Sequence, residues 1–448
     1  MTRVLVVTLD TVAERMAGPA IRAWETASYL AAEHDVELVT FGACERTAPA
    51  FAVRRTGPAQ FREEVAAADV VVLQGYLMRA FPWLRTVPQA LVVDLYDPFH
   101  LESLEVTRGE SEERRAASTA KAVTELTAQA RRGDFFLCAS EKQRDFWLGH
   151  LAAAGRVNPA TYDDDPSLRR LLDVVPFGIV QDAPVSTGGA LKGVVPGIGV
   201  DDHVIVWGGG VYNWFDPYTV IRAVDRVRET VPTVRLYFLG MAHPNPDVPE
   251  TVAARRARAL ADELGLTGRH VFFNDDWVPY DRRADYLLDA DIGVSAHFDH
   301  VETAFSFRTR ILDYLWAGLP VVCTAGDAFG ELVAAENLGR AVPPEDPDAM
   351  AAVLEELLTD HAERAVVVGN VHGAAQRFRW PVVLEPLSRF CAAPRRAADA
   401  DRPLDLAAFG GEPGPLRRLR EDGAAAARLL RDEGAAAVVR RVRVRLGR

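Results

Sequence analysis

Residues 305–322 read FSFRTRILDYLWAGLPVV. Two arginines, Arg308 and Arg310, lead an apolar helical run carrying one acid, Asp313. The chain then breaks at Gly318-Leu319-Pro320 and enters a valine pair, which reads as a helix turning into a strand. Fixed positive charge at a helix start opposes the macrodipole, so something anionic has to meet it. Two answers are open from these residues alone: a bound anion held by guanidiniums, or an interdomain salt bridge to acids such as Asp97.

The same strand–helix joint recurs outward in both directions. Valine-rich runs at 4–10, 36–42, 70–75, 90–96 and 135–140 alternate with alanine-rich amphipathic stretches, among them helices expected over 20–33 and 111–132. Pro184, Gly188, Gly189, Gly193, Pro196 and Gly197 then crowd one short stretch of flexible-linker composition. Beyond it the pattern restarts, with strands expected at 203–209, 234–240, 270–275, 292–296, 319–324 and 339–344. Near-continuous apolar strands are buried on both faces, as in a doubly wound parallel sheet. The expected class is therefore α/β, with two Rossmann-like doubly wound domains facing each other across a cleft. Their bounds are 1–182 and 201–377, with a linker at 183–200. Ligands of such sheets bind outside the carboxyl ends of the strands.

A chain of 448 residues exceeds one ordinary core, and 49% hydrophobic with 25% charged residues fits a globular protein. A net charge of −12 argues against a general nucleic-acid binder. Cys44, Cys138, Cys323 and Cys391 are scattered without a CxxC pair, as expected of reduced thiols in the cytoplasm. No apolar run approaches the ~20 residues of a membrane span, and MTRVLVVTLD reads as a first strand rather than a signal peptide. Residues 413–448 carry ten arginines against four acids. That tail reads either as a helical appendage for an anionic surface, placing the protein peripherally at the inner membrane face, or as a solvated extension.

Several clusters carry chemistry. Gly18 and Pro19 end the loop after the first strand, with Arg22 in the first helical turn; this is either a backbone approach to a ligand or a plain helix start. GxGxxG is missing, and with it a dinucleotide fingerprint. Gly208, Gly209 and Gly210 directly follow a strand, where a phosphate could press on the backbone. Asp94, Tyr96, Asp97 and His100 gather at another strand end, suited to hydroxyl recognition or base chemistry; alternatively Asp97-Pro98 simply starts a turn. His297, His300 and Glu302 lack a second ligand cluster, and no metal site is expected there. No Ser-His-Asp elbow, P-loop or HExxH occurs.

With GPAIRAWETASYLA (18–31), VVPFGI (174–179), WGGGVYNWFDPYTVIRAV (207–224) and LDYLWAGLPVVCT (312–324), the chain resembles a GT-B glycosyltransferase, most like the retaining family four, over about residues 1–392. The resemblance implies an acceptor domain followed by a nucleotide-sugar domain, and a helix at 378–392 crossing back to the first; 393–448 is then an extension. It implies a nucleotide diphosphate sugar as co-substrate, no cofactor and no essential metal. Transfer to the acceptor hydroxyl is by front-face attack with retention, in polysaccharide or glycoconjugate biosynthesis. The family holds its donor through Glu-x7-Glu; Asp313 takes the second position, facing ribose, while Phe305 takes the first and Glu302 lies nearby at other spacing. The family's Arg and Lys of the glycine loop are missing, so Arg308 and Arg310 are expected to meet the diphosphate as catalytic groups, with Asp97 and His100 beside them and Thr309 as hydroxyl donor or helix cap. The remaining donor contacts fall on Gly18, Gly208, Gly209, Gly210, Asn213, Gly240 and Glu302, and the acceptor contacts on Arg22, Asp94 and Tyr96. A polysaccharide, lipid-linked or small-molecule acceptor fits equally. Two other readings share the fold: a catalytically silent nucleotide-sugar binder, and a UDP-N-acetylglucosamine 2-epimerase-type enzyme.

Overall fold

The structure, a computed structural model, describes residues 1–242, 250–402 and scattered positions from 404 to 438. It divides into Met1–Asp401 and Arg402–Arg448. The expectation for the arginine-rich tail lies outside the described residues, apart from isolated helical positions.

The first sheet contains β1 (Arg3–Thr8), β2 (Asp35–Thr40), β3 (Ala52–Arg55), β4 (Val70–Gln74), β5 (Ala90–Asp94), β6 (Phe135–Cys138) and β7 (Leu172–Val174). Its order is β3-β2-β1-β4-β5-β6-β7, and each pairing is parallel. The second sheet is built from β8 (His203–Trp207), β9 (Val234–Phe238), β10 (Val271–Phe273), β11 (Ile292–Ser295), β12 (Val321–Thr324) and β13 (Gly339–Val342), in the parallel order β10-β9-β8-β11-β12-β13. Both are doubly wound α/β sheets, as the alternating pattern implied. The central strands are apolar on both faces because helices cover both; β4 and β6 are buried throughout. In each sheet the winding reverses beside the first strand, between β1 and β4 and between β8 and β11. The loops leaving those strands spread apart and leave a crevice.

β3 and β7 escaped the sequence pattern. β3 reads AVRR, whose Arg54 is drawn to Glu37 of β2 and to Glu64; β7 is three residues long. The stretch 183–200 differs from a loose linker, because carboxylates of the second half hold its backbone. The Asp285 carboxylate accepts from Thr187 N–H, the Asp289 carboxylate from Ala190 and Leu191 N–H, and Lys192 pairs with Asp291 at 2.8 Å.

The end of the unit returns to the first sheet. Ile179 N–H donates to Phe378 O and Trp380 N–H to Ile179 O. Phe390 stacks on Phe135 at 4.9 Å, and the Thr2 hydroxyl donates to Cys391 O. All four cysteines are free thiols. Among the described residues no helix is long and apolar enough to cross a membrane.

Candidate active site

A cavity of about 330 Å³ opens where the carboxyl ends of the two sheets meet. Its first wall comes from the loop after β1 (Met16–Ile21), the segment after β5 (Tyr96–Glu102) and Phe177-Gly178 after β7; its second comes from Gly208–Phe215 after β8, Trp277–Tyr280 and the start of the helix Arg310–Ala317.

Two seams close the walls together. On one side Arg15 pairs with Asp276 at 2.8 Å, Arg46 with Asp281 at 2.9 Å, and the Tyr280 hydroxyl donates to Glu25 at 2.9 Å. On the other, Gln143 Nε2 donates to Tyr96 O and to Phe305 O, and the Phe305 ring packs on Phe146 at 4.5 Å. Phe305, which takes the first position of the expected Glu-x7-Glu spacing, thus serves the seam between the walls.

The glycine loop is placed by a tyrosine. Tyr314 lies fully buried under β8 and β11; its hydroxyl accepts from Gly208 N–H at 2.7 Å and donates to Val294 O at 2.8 Å. A side-chain carbon on Gly293 would lie 2.3 Å from the Tyr314 ring, so glycine there makes room for it. Gly209 takes φ +67°, with open space where a side chain would point. Tyr314→Phe leaves Gly208 N–H and Val294 O without this partner and is expected to cost about 1–3 kcal/mol in denaturant unfolding.

The two arginines of the opening stretch have different fates. Arg308 is 4% exposed, and its two Nη atoms donate to both oxygens of Glu302, itself fully buried, at 3.0 and 2.8 Å. Its Nε lies 3.7 Å from Asp327, which also faces His297 at 3.3 Å. Burial pushes the Asp327 carboxyl up, but His297 and Arg308 pull it down more, and it ends below the ordinary carboxylate range. Arg308 therefore reaches the wall with its charge already matched. Glu302 does not line the cavity, which corrects its expected donor role: its carboxylate is taken by Arg308.

Arg310 is 8% exposed, and among the described residues no carboxylate lies within ion-pair reach of it. Nη2 donates to Gly210 O at 2.9 Å, Nη1 is buried without a partner, and the guanidinium lies 4.0 Å over Phe215 and 4.5 Å over Trp207. Burial, and then the like charge of Arg308, lower its pKa to about 10, still protonated at neutral pH. Thr309 holds the N-cap position of this helix but makes no side-chain capping bond; it lines the cavity.

Asp313 also lines the cavity, tied to Arg283 at 3.2 Å, while burial raises its carboxyl above the usual range despite that partner. Gly18, Tyr96, Asp97 and the three glycines 208–210 share the same cavity. Neither Arg283 nor Glu102 stood out in the sequence; each is one charge in an ordinary helix, and only the fold brings it to the cavity.

Other expected site residues lie elsewhere. Arg22 is 1% exposed, forks onto Asp94, and donates to the carbonyls of Val175 and Pro176. Both members of that pair are consumed in binding three strand-end loops together, which removes them from the acceptor-contact set. His100 turns away into Phe146 and Trp147, where burial and then nearby His150 lower its pKa to about 4; it is a neutral ring in an aromatic cluster rather than a catalytic group at the cavity. Asn213 accepts from Ala253 N–H and so caps the next helix, while Gly240 makes space for the Trp277 ring; neither lines the cavity. His300 lies 3.6 Å from Glu302, and among the described residues no group of three or more His, Cys, Asp or Glu is arranged to hold a metal.

Two facing doubly wound sheets with a cleft at their carboxyl ends define the GT-B class. Residues 202–360, in the second-sheet part of the likeness read from the sequence motifs, match the family model described as Glycosyl transferases group 1. The chain is 28% identical over 246 residues to a D-inositol 3-phosphate glycosyltransferase of Xylanimonas cellulosilytica, covering 51% of this chain and 55% of that protein. It is 30% identical over 145 residues to a phosphatidyl-myo-inositol mannosyltransferase of Mycolicibacterium smegmatis, covering 32% and 36%. The matches thus span about half or less of these relatives. Among solved structures, WaaG, a glycosyltransferase involved in lipopolysaccharide biosynthesis, superposes with TM-score 0.63 at 17% identity over 87% of this chain and all of its own. Sucrose-phosphate synthase from Thermosynechococcus elongatus gives 0.64 at 17% over 87% and 98%. At such identities these likenesses establish the fold.

Proposed function

We propose that the protein is a glycosyltransferase, moving a sugar from a nucleoside diphosphate donor to an acceptor hydroxyl, with retention and without a metal. The observation that carries this is Arg310: a buried cation on a cavity wall, beside three glycines and a helix start, with one donor nitrogen unpartnered. A diphosphate that gains charge as the glycosidic bond breaks supplies the missing anion, and a fixed guanidinium in a water-poor site stabilises it as it leaves. Arg308 supports this at one remove: locked on Glu302, it fixes the approach to the helix. In this reading Asp313, tied to Arg283 on the cavity wall, accepts from a ribose hydroxyl. The relatives' names support the reading, as does the structural neighbour HepE of Anabaena, solved with UDP-glucose at 14% identity and TM-score 0.63.

Nucleoside diphosphates are expected to raise the melting temperature, by about 2.7 kcal/mol of added stability at a hundredfold excess over Kd. Incubation with the matching sugar nucleotide and an acceptor should release the diphosphate. A panel of UDP, GDP, ADP and TDP that leaves the melting curve unmoved overturns the reading. Binding without release under any acceptor points instead to a silent nucleotide-sugar binder.

A further inference from the structure

We propose that Asp97 and Glu102 form one hydrogen-bonded acid pair that receives hydroxyls of an uncharged polyol, the reacting end of the acceptor. The inference rests on the transferase reading above and names the acceptor's chemical class. Both acids lie on the first wall of the cavity and hydrogen-bond to each other. Among the described residues neither has a basic partner within ion-pair distance: Arg22 is taken by Asp94, Arg308 by Glu302 and Arg283 by Asp313. The opposite wall holds Arg310, over nine-tenths buried, with its unpartnered Nη1. Tyr212 on that second wall lines the same cavity as Arg310, Asp97 and Glu102, so the two poles share one space.

A cavity with one unmatched cation and one unmatched acid pair sorts its ligand by charge. The anionic part goes to Arg310; what faces the acids has to donate hydrogen bonds and carry no negative charge. Burial, the largest cause, pushes both carboxyls up; the hydrogen bond between them then favours the ionised form of Asp97 and the protonated form of Glu102. The remaining oxygens accept from hydroxyls. The groups facing the pair are Glu302 and Asp94, which push Asp97 up, Arg308, which pulls it down, and the phenols of Tyr76, Tyr96 and Tyr212. The Asp97 carboxylate exists above about pH 6 and is lost as pH falls through that value.

The test uses the full chain, the sugar nucleotide whose diphosphate raises the melting temperature, and glucose, sucrose and myo-inositol as acceptors beside glucose 6-phosphate. The neutral polyols should accelerate diphosphate release over water, and glucose 6-phosphate should not surpass glucose. Acceptor KM should rise about tenfold per pH unit below pH 6, as for loss of one ionised group. Asp97→Asn should raise acceptor KM roughly 10–10²-fold, the scale of a hydrogen bond to a charged group. It should also abolish the acid limb and leave diphosphate binding in place. A buried acid with raised pKa binds its proton more tightly when folded and so costs stability once ionised; the asparagine variant should gain in melting temperature over wild type as pH rises from 4 to 7. Glu102→Gln, which can still donate to Asp97, should lose less than Glu102→Leu. Unchanged acceptor KM and acid limb in Asp97→Asn with binding intact, equal Gln and Leu variants, preference for the phosphorylated sugar, or no acceleration by any neutral polyol would each overturn the pair's role. Failure of wild type to bind any diphosphate instead removes the transferase reading itself.

Discussion

Arg310→Met is expected to cut turnover by roughly 10²–10³-fold, the scale on which one preorganised electrostatic donor contributes to a transition state. Folding stability should not fall. The methionine fills a similar volume over Phe215 and Trp207, and it removes a buried charge that no protein carboxylate balances. Few substitutions separate function from stability so cleanly, and here the reason is electrostatic. Burial already weighs against the guanidinium's charge, as its lowered pKa of about 10 records. The loss should be concentrated in kcat, since developing charge on the leaving diphosphate exceeds that of the bound donor. Chemical denaturation and steady-state kinetics on the same preparation check both halves. Wild-type turnover would place the diphosphate elsewhere; a large loss of stability would make Arg310 a structural residue.

Glu302→Ala should show the opposite profile. It leaves Arg308 buried at 4% exposure without its bidentate partner, and breaking a buried pair from one side costs about 3–5 kcal/mol. Arg308→Met should cost a similar amount by stranding Glu302. The double variant Glu302→Leu/Arg308→Met should lose less than either single change, because no unpaired charge remains. Urea unfolding of the three variants gives the comparison. Strict additivity would show that Asp327, His297 and His300 support each charge independently of the other.

The architecture was legible because doubly wound strands are buried on both faces and print as unbroken valine runs: VLVV, VVVL and ALVV are β1, β4 and β5 in the fold. The edge strands were not, because an edge tolerates arginine and shortness, as β3 and β7 show. Within the site, sequence order marks which residues follow a strand and so come near the cleft. It does not reveal which charges are already matched. Arg308 and Arg310 look alike in FRTR; Glu302, six residues earlier, takes one and leaves the other. Arg22 and Asp94 belong to distant loops, and nothing local announces that they fork onto one another. His100 and Asp97 are three residues apart in one turn, yet the helix sends one ring into aromatic packing and leaves the acid on the cavity. Pairing is a tertiary property, and it decided most of the expected roles that moved.

The return of residues 378–399 to the first sheet bears on the order in which the molecule can be made. The first sheet leaves the ribosome early, but its surface stays incomplete until the last part of the unit arrives. Phe135 waits for Phe390, and Gly178 for the Trp380 ring that covers it. Buried Asp134 and Arg156 find Arg396 and Asp399 some 240 to 260 positions later. Domains otherwise fold as they emerge, N-terminal first. Until those residues arrive the Phe135 and Gly178 surfaces lack their cover, and Arg156 lacks its carboxylate, though Asp134 already pairs with Arg132. A shortened chain ending in the 183–200 stretch therefore lacks the pieces that finish its first sheet.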